Sequence, residues 1–327
     1  MPLAPFRLAC ALAGGLALFS GAAQADLAGA YLAARSADLA ADFAPSRDYL
    51  VRALAADPDN PGLLEALAMA NVGLGDVAGA IPVARRLAAM GAQAQIARLV
   101  LTAERLAGED HAALLADLDS GTPVAGPLID PLLRGWAHLG AGSMAQALEE
   151  FDKLAATPGL EVFGLYHKGL ALALVGDFEG ADRLFSDPAN SLTATRRAVF
   201  AHVRVLSQLD RVADAQLLLD RTFGGVSDPE VDALRARLAP GQPLPFDTVR
   251  NARDGMAEVF HVLAIVLQGE APDHQVLIHS RIAEYLRPDH VDAILFSTSG
   301  WSGFSSSARR NSGSARSHSF ACSSTTA

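Results

Sequence analysis

Apolar and polar positions along the chain follow the spacing of amphipathic helices, and short polar breaks interrupt that pattern at a nearly constant interval. Apolar residues recur three and four positions apart, and no stretch alternates with the period of two that a β-strand requires. When one residue is taken from each break, successive breaks lie 34, 34, 33, 34 and 34 residues apart. These residues are Asp42, Asp76, Asp110, Ser143, Asp177 and Arg211. The period predicts an all-α fold, an α-solenoid of helix-turn-helix repeats.

The breaks have the residue types found at helix ends. Gly75 and Gly176 stand where the first helix of a repeat is predicted to end, and glycine adopts the left-handed conformation of such a turn without a Cβ penalty. Asp76, Asp177 and Ser143 come next, and their side chains can accept a hydrogen bond from the free amides that open the following helix. Each break therefore predicts one helix ending and another beginning.

Two positions in the second helix of each predicted repeat are apolar or small. The residues four positions after the break are Ser46, Ala80, Leu114, Ala147, Ala181 and Ala215. Those eight positions after it are Leu50, Ala84, Leu118, Phe151, Phe185 and Leu219. Because positions four apart share one face of a helix, this stripe is predicted to face the seam between helices.

At these positions the chain resembles the tetratricopeptide repeat (TPR) family, which implies a right-handed α-solenoid. That pattern has a small residue at position 8, another at 20, an aromatic residue or Leu at 24, a small residue at 27 and Pro at 32. The first repeat supplies Ala34, Ser46, Leu50, Ala53 and Pro58; the fourth supplies Gly135, Ala147 and Phe151; the fifth supplies Gly169, Ala181 and Phe185. The chain departs from the pattern at Thr102, Leu114 and Leu154. The resemblance covers residues 27–222 well and 255–296 loosely.

The resemblance implies a concave face lined by the first helix of each repeat, through positions 2, 5, 9 and 12. The candidate partner-binding residues on that face are Tyr31, Arg35, Met69, Leu99, Trp136, Phe163, Tyr166, Phe200 and Arg204. Aromatic side chains on adjacent helices, with an Arg at the rim, are typical anchors of a peptide groove. The alternative left open is that these residues fill a groove within the chain, covered by the long helix predicted at about 246–267.

The first 25 residues have the organisation of a cleavable signal peptide. Arg7 supplies the positive charge, residues 8–19 form a short apolar run, and Ala23-Gln24-Ala25 fits the cleavage rule. Cleavage before Asp26 predicts export to a bacterial periplasm. Cys10 suggests a lipoprotein as the alternative, but Arg7 stands where the lipoprotein motif needs an aliphatic residue.

Composition divides the rest of the chain. Six repeats are predicted over 26–222, a junction helix and a Pro-rich linker over 223–245, and further TPR-like helices over 246–296. Residues 297–327 contain twelve Ser, three Arg and no acidic residue, which predicts a disordered tail, either native or the product of a reading-frame change.

Charge and motifs limit the classes of function. Without the one Arg of the leader and the three of the tail, 22 basic residues face 36 acidic ones, so the body carries a formal charge near −14. That charge disfavours nucleic acid and anionic lipid as partners. The Gly73-x-Gly75-x-x-Ala78 segment imitates a dinucleotide fingerprint but follows a helix, and the nine His show no metal-ligand spacing. No cofactor or metal is therefore predicted.

These observations predict a non-catalytic helical-repeat scaffold that binds a protein or peptide partner in the bacterial cell envelope. The alternative is a docking or regulatory subunit of an envelope enzyme or export complex. No segment after the leader reaches transmembrane length.

Overall fold

The structure of the chain is a computed structural model, and it covers most of the predicted helical body. The described residues are 29, 32–34, 36–37, 42–121, 124–192, 195–224, 228–238 and 243–298. The predicted signal peptide, candidate residues Tyr31 and Arg35, and residues 299–327 of the predicted tail lie outside them.

Most of the described residues are helical, which confirms the all-α prediction for this part of the chain. It contains no β-strand, only an isolated bridge between Gln268 and Ala271. The helices are α1 (Phe43–Ala56), α2 (Pro61–Gly73), α3 (Val77–Ala89), α4 (Gln95–Ala107), α5 (His111–Asp119), α6 (Ile129–Gly140), α7 (Met144–Ala155), α8 (Glu161–Leu174), α9 (Phe178–Ser186), α10 (Arg196–Gln208), α11 (Val212–Phe223), α12 (Pro229–Leu238), α13 (Ala252–Leu267) and α14 (Asp273–Leu286). Residues 188–190 form a 3₁₀ turn, and residues 291–298 are also helical.

The helices belong to two compact units. Unit 1 comprises the chain up to Leu101, together with Leu267–Glu284 and the residues from His290 onward. Unit 2 comprises Thr102–Val266 and Tyr285–Asp289.

Helices α1, α2 and α3 pack in sequence in unit 1, and α14 contributes to their core. Phe43, Leu50, Leu63 and Leu67 form one apolar cluster that also contains Leu277 of α14. The core of unit 1 therefore joins residues from distant parts of the sequence.

Helices α5 to α12 belong to unit 2, where those from α6 to α12 pack each on the next along the chain. Phe151 of α7 lies against Gly135 of α6, and Phe185 of α9 lies against Gly169 of α8. A Cβ atom on Gly169 would approach the Phe185 ring to 2.7 Å, so the glycine lets the ring of the second helix contact the first. All twelve residues of the predicted apolar stripe are buried, which confirms that the stripe faces the packing seam.

The predicted turns contain left-handed residues immediately before the capping positions. Positive φ values occur at Gly75, Glu109, Gly142, Gly176 and Asp210, and successive positions lie 34, 33, 34 and 34 residues apart. In three of these turns the next residue is an Asp that caps the following helix. The Gly79 amide donates to Asp76 at 2.8 Å, the Ala113 amide to Asp110 at 3.0 Å, and the Gly180 amide to Asp177 at 2.8 Å. Ser143 makes no side-chain cap bond, so the predicted role of its hydroxyl is wrong.

The helix predicted at 246–267 begins six residues later than predicted, at Ala252. Asn251 accepts a hydrogen bond from the Asp254 amide at 2.8 Å, and Asp254 accepts one from the Arg250 amide at 3.1 Å. These reciprocal bonds fix the start of α13 and leave residues 243–251 non-helical. A helix, α12, is present where the sequence predicts one, and Asp228 caps it at the amides of Glu230 and Val231.

Gly176 offers a test of the turn geometry. Its φ of +89° lies in the left-handed region, which a β-branched residue resists. We expect Gly176→Val to lower the free energy of unfolding by about 1–2 kcal/mol through backbone strain. Urea unfolding measures the loss, with Ala145→Val at an exposed site of α7 as the matched control. An unchanged midpoint for Gly176→Val would contradict the left-handed turn.

Among the described helices, none is both long enough and apolar enough to cross a lipid bilayer.

Candidate functional site

The predicted aromatic anchors of unit 2 are buried within the chain's own fold. Trp136 of α6 is completely buried, and Tyr166 of α8 and Phe200 of α10 are nearly so. Phe163, one turn before Tyr166, is half-buried. The face that these first helices form is therefore covered.

Residues 243–264, which we call the strap, cover this face in unit 2. The strap consists of the non-helical residues 243–251 and the helix α13 up to Ala264. Its Gly255 lies directly on the Trp136 ring, and a Cβ atom built there would overlap three carbons of the indole. This is the alternative that the sequence left open, a groove filled from within the chain. Whether Trp136 and Tyr166 also contact a partner stays a prediction.

We call the covered face of α6, α8 and α10 the groove. A buried ion pair joins the strap to it. Glu258 of α13 has no exposed surface. Arg197 of α10 binds its carboxylate with a two-pronged contact, in which Nε donates to Oε1 and Nη2 donates to Oε2, both at 2.5 Å. The Tyr166 hydroxyl donates to Oε1 at 2.8 Å. Three donors from two groove helices thus converge on one carboxylate of the strap.

Polar contacts also fix the non-helical part of the strap to α10. Arg204 Nε donates to Asp247 Oδ1 at 2.7 Å, and Ser207 Oγ accepts from the Leu244 amide at 2.7 Å. The Gln208 amide donates to the Leu244 carbonyl. Since α10 contacts the strap in reverse residue order from Arg197 to Gln208, the strap runs antiparallel to it.

An aromatic cluster lies beneath the ion pair. The Trp136 indole Nε1 donates to His167 Nδ1 at 3.0 Å, and the His167 ring contacts the Phe151 and Tyr166 rings. Because Nδ1 accepts, the neutral His167 ring carries its proton on Nε2. That buried nitrogen donates to no atom among the described residues.

Burial controls the protonation of this cluster. It lowers the pKa of His167 from 6.5 to about 4, which keeps the ring neutral beside Trp136. Burial, together with the negative charge of Glu258, raises the pKa of the Tyr166 hydroxyl well above its usual value. Tyr166 therefore stays a hydrogen-bond donor to Glu258.

The lowered pKa of His167 predicts that acid destabilises the fold. As the pH falls below 6.5, His167 becomes protonated in the unfolded chain. In the native chain it stays neutral until the pH nears 4, so the unfolded state is favoured in between. We expect His167 to cost about 2 kcal/mol of stability between pH 7.5 and pH 5. Urea unfolding of wild type and His167→Gln at both pH values measures this loss, as the difference between the two chains in how much stability falls from pH 7.5 to pH 5.

The matched control for this pH prediction is His274→Gln, at an exposed residue. That variant should keep the pH dependence of the wild type. Equal pH dependence of wild type and His167→Gln would contradict the burial of a neutral His167.

The remaining candidate residues are placed as follows. Arg204 is part of the groove and is paired with Asp247 of the strap. Met69 lies half-buried on α2, and Leu99 lies buried on α4, both in unit 1. Within unit 2, then, the structure brings together Trp136, Tyr166 and Arg204 under the strap.

Sequence reasoning missed four residues of this site. Arg197 and Ser207 occupy repeat positions 2 and 12, which the family pattern assigns to the concave face, so that rule could have found them. Gly255 and Glu258 belong to the strap and carry no signal in the repeat pattern. Their one local signal is that they stand three residues apart, which places them on the same face of a helix.

The site presents a flat indole ring, one hydroxyl donor and two guanidinium groups to the strap. No group of three or more potential metal ligands occurs within the part of the chain that the structure describes.

Comparison with protein-family models, with curated proteins and with solved structures finds no match to this chain.

Proposed function

We propose that this chain is a non-catalytic helical-repeat scaffold of the bacterial cell envelope, and that the groove of unit 2 binds a segment of a partner protein. The strap is then a tethered occupant of the binding site. The observation that carries the proposal is the buried contact of Glu258 with Arg197 and Tyr166.

The chemistry of this contact resembles recognition more than core packing. A helix that only fills a core needs no more than apolar contacts. A buried ion pair there often stabilises the fold no more than the apolar residues that could replace it. Buried charges do, however, penalise any occupant that lacks the matching group. The non-helical residues of the strap add further directional bonds through Arg204 and Ser207.

Two regularities support a TPR-like solenoid as the framework of the groove. Left-handed turn residues recur every 33 or 34 positions from Gly75 to Asp210. In two repeats a Phe of the second helix packs on a Gly of the first, as that family's pattern requires. The leader and the acidic body support a place in the envelope and a protein partner.

Because the strap is tethered in the groove, a partner must compete with it for binding. A segment joined by a short linker competes at an effective concentration on the order of millimolar. The strap is also buried continuously from Asp254 to His261, so it leaves the groove only when a partner replaces its contacts. We expect weak partner binding to the wild-type chain and stronger binding when the strap is loosened.

Gly255→Leu tests the proposal, because the larger side chain does not fit against the Trp136 ring. The substitution lies in the strap, so the residues of the groove are unchanged. Four full-length baits are compared by quantitative mass spectrometry of envelope extract: wild type, Gly255→Leu, Gly255→Leu/Arg197→Ala, and the surface control Ala145→Leu. We expect Gly255→Leu to enrich proteins above wild type and the double variant to lose them again. The same proteins at the same levels on all four baits would contradict a role for the groove.

A further inference from the structure

The partner segment can be described from the contacts that the strap makes in the groove. Resting on the proposed function, we infer that the groove selects a segment with carboxylates at two positions and a glycine between them, in the spacing Asp-x₇-Gly-x₂-Glu. Its Asp belongs to a non-helical stretch, and its Gly and Glu belong to a following helix. In the strap these residues are Asp247, Gly255 and Glu258.

The glycine of this signature is required by the Trp136 ring. A Cβ atom at position 255 would overlap indole carbons Cδ2, Cε2 and Cε3. The indole cannot shift easily, because its Nε1 is bonded to His167 and its ring contacts the Phe151 ring at a centroid distance of 5.7 Å. The groove therefore accepts only a residue without a side chain at this point of a helix. Glycine is less favourable than alanine in a helix interior, so its use there is explained by the close approach.

The glutamate is required by the donors that surround it. Arg197 offers two N–H groups and Tyr166 offers one O–H group, while a carboxylate accepts all three. A glutamine would turn its NH₂ group toward one of these donors. An aspartate is one methylene too short to keep the same geometry from the same helix position. Three residues after the glycine, the glutamate lies on the same helix face.

The aspartate contributes a weaker selection. Arg204 is anchored by the Phe200 carbonyl at 3.1 Å and directs its Nε toward Asp247. The Asp247 side chain is 42% exposed, so water screens this pair. The groove thus presents two Arg side chains to its occupant, and their charges favour carboxylates at the Asp and Glu positions.

Peptide binding to the full-length Gly255→Leu chain tests this signature. The probe is a fluorescein-labelled peptide of residues 243–264 with the wild-type sequence, and fluorescence anisotropy reports its binding. We expect the wild-type peptide to bind, and the peptide with Glu258→Gln to bind at least about tenfold more weakly because a buried donor loses its acceptor. The peptide with Asp247→Asn should bind only about two- to threefold more weakly. The peptide with Gly255→Leu should not bind.

The outcomes separate the signature from the proposed function. Equal binding of the wild-type and Glu258→Gln peptides would overturn the signature and leave a groove that accepts helices in general. No binding of any peptide to a folded Gly255→Leu chain would overturn both. If circular dichroism shows that Gly255→Leu is unfolded, the full-length Glu258→Gln chain takes its place in the same titrations. Unfolding of both chains would show that the strap is core and would contradict the inference.

Discussion

Trp136→Ala should lower the free energy of unfolding by about 3–5 kcal/mol, the range for removal of a large buried aromatic side chain. The ring is completely buried, contacts Phe151, lies against Gly255 of the strap and donates its N–H to His167. The substitution therefore opens a cavity and also removes a donor from His167. Urea unfolding followed by far-ultraviolet circular dichroism measures the loss.

The control for this substitution is Leu217→Ala, at a residue of α11 that is 45% exposed. Its loss should stay below about 1 kcal/mol, as at other surface sites. A Trp136→Ala chain as stable as the Leu217→Ala chain would mean that Trp136 lies on an open surface and that the strap does not cover it.

Arg197→Ala is expected to cost a similar amount, about 3–5 kcal/mol, because it leaves the Glu258 carboxylate buried without its counter-charge. The double variant Arg197→Ala/Glu258→Leu should recover much of this loss, since it removes both charges and puts an apolar side chain in the buried position. Urea unfolding of wild type, both single variants and the double variant forms a complete thermodynamic cycle.

An exposed ion pair provides the comparison for this cycle. Arg86 donates to Asp59 at 2.7 Å, and both side chains are largely exposed. Arg86→Ala should therefore cost at most about 1 kcal/mol. If Arg197→Ala cost no more than Arg86→Ala, or if the double variant were less stable than Arg197→Ala alone, the buried ion pair would not join strap and groove as described.

The sequence predicted the helical framework well because its signals are local. A left-handed glycine such as Gly176, followed by the capping Asp177, is determined by the backbone needs of one turn. The apolar stripe is buried because positions four apart share a helix face, and Phe185 on Gly169 follows from the same spacing.

The site was harder to predict because its contacts join distant parts of the chain. Tyr166 and Glu258 are 92 positions apart, and no local pattern links them. The resemblance placed Trp136 and Tyr166 on one face, but it could not decide whether that face was open. The structure shows that the face is covered: Gly255 has no side chain, so the strap can lie directly on the Trp136 indole.

The most direct test of the covered groove is solvent exchange of the Trp136 indole proton. Selective ¹⁵N-Trp labelling of the full-length chain gives one indole signal for Trp136 and one for Trp301, and Trp301→Phe identifies which is which. The bond to His167 and the strap above the ring predict slow exchange of the Trp136 signal in the wild type and much faster exchange in Gly255→Leu. Fast exchange in the wild type, or equal rates in both chains, would contradict a groove filled by residues 243–264.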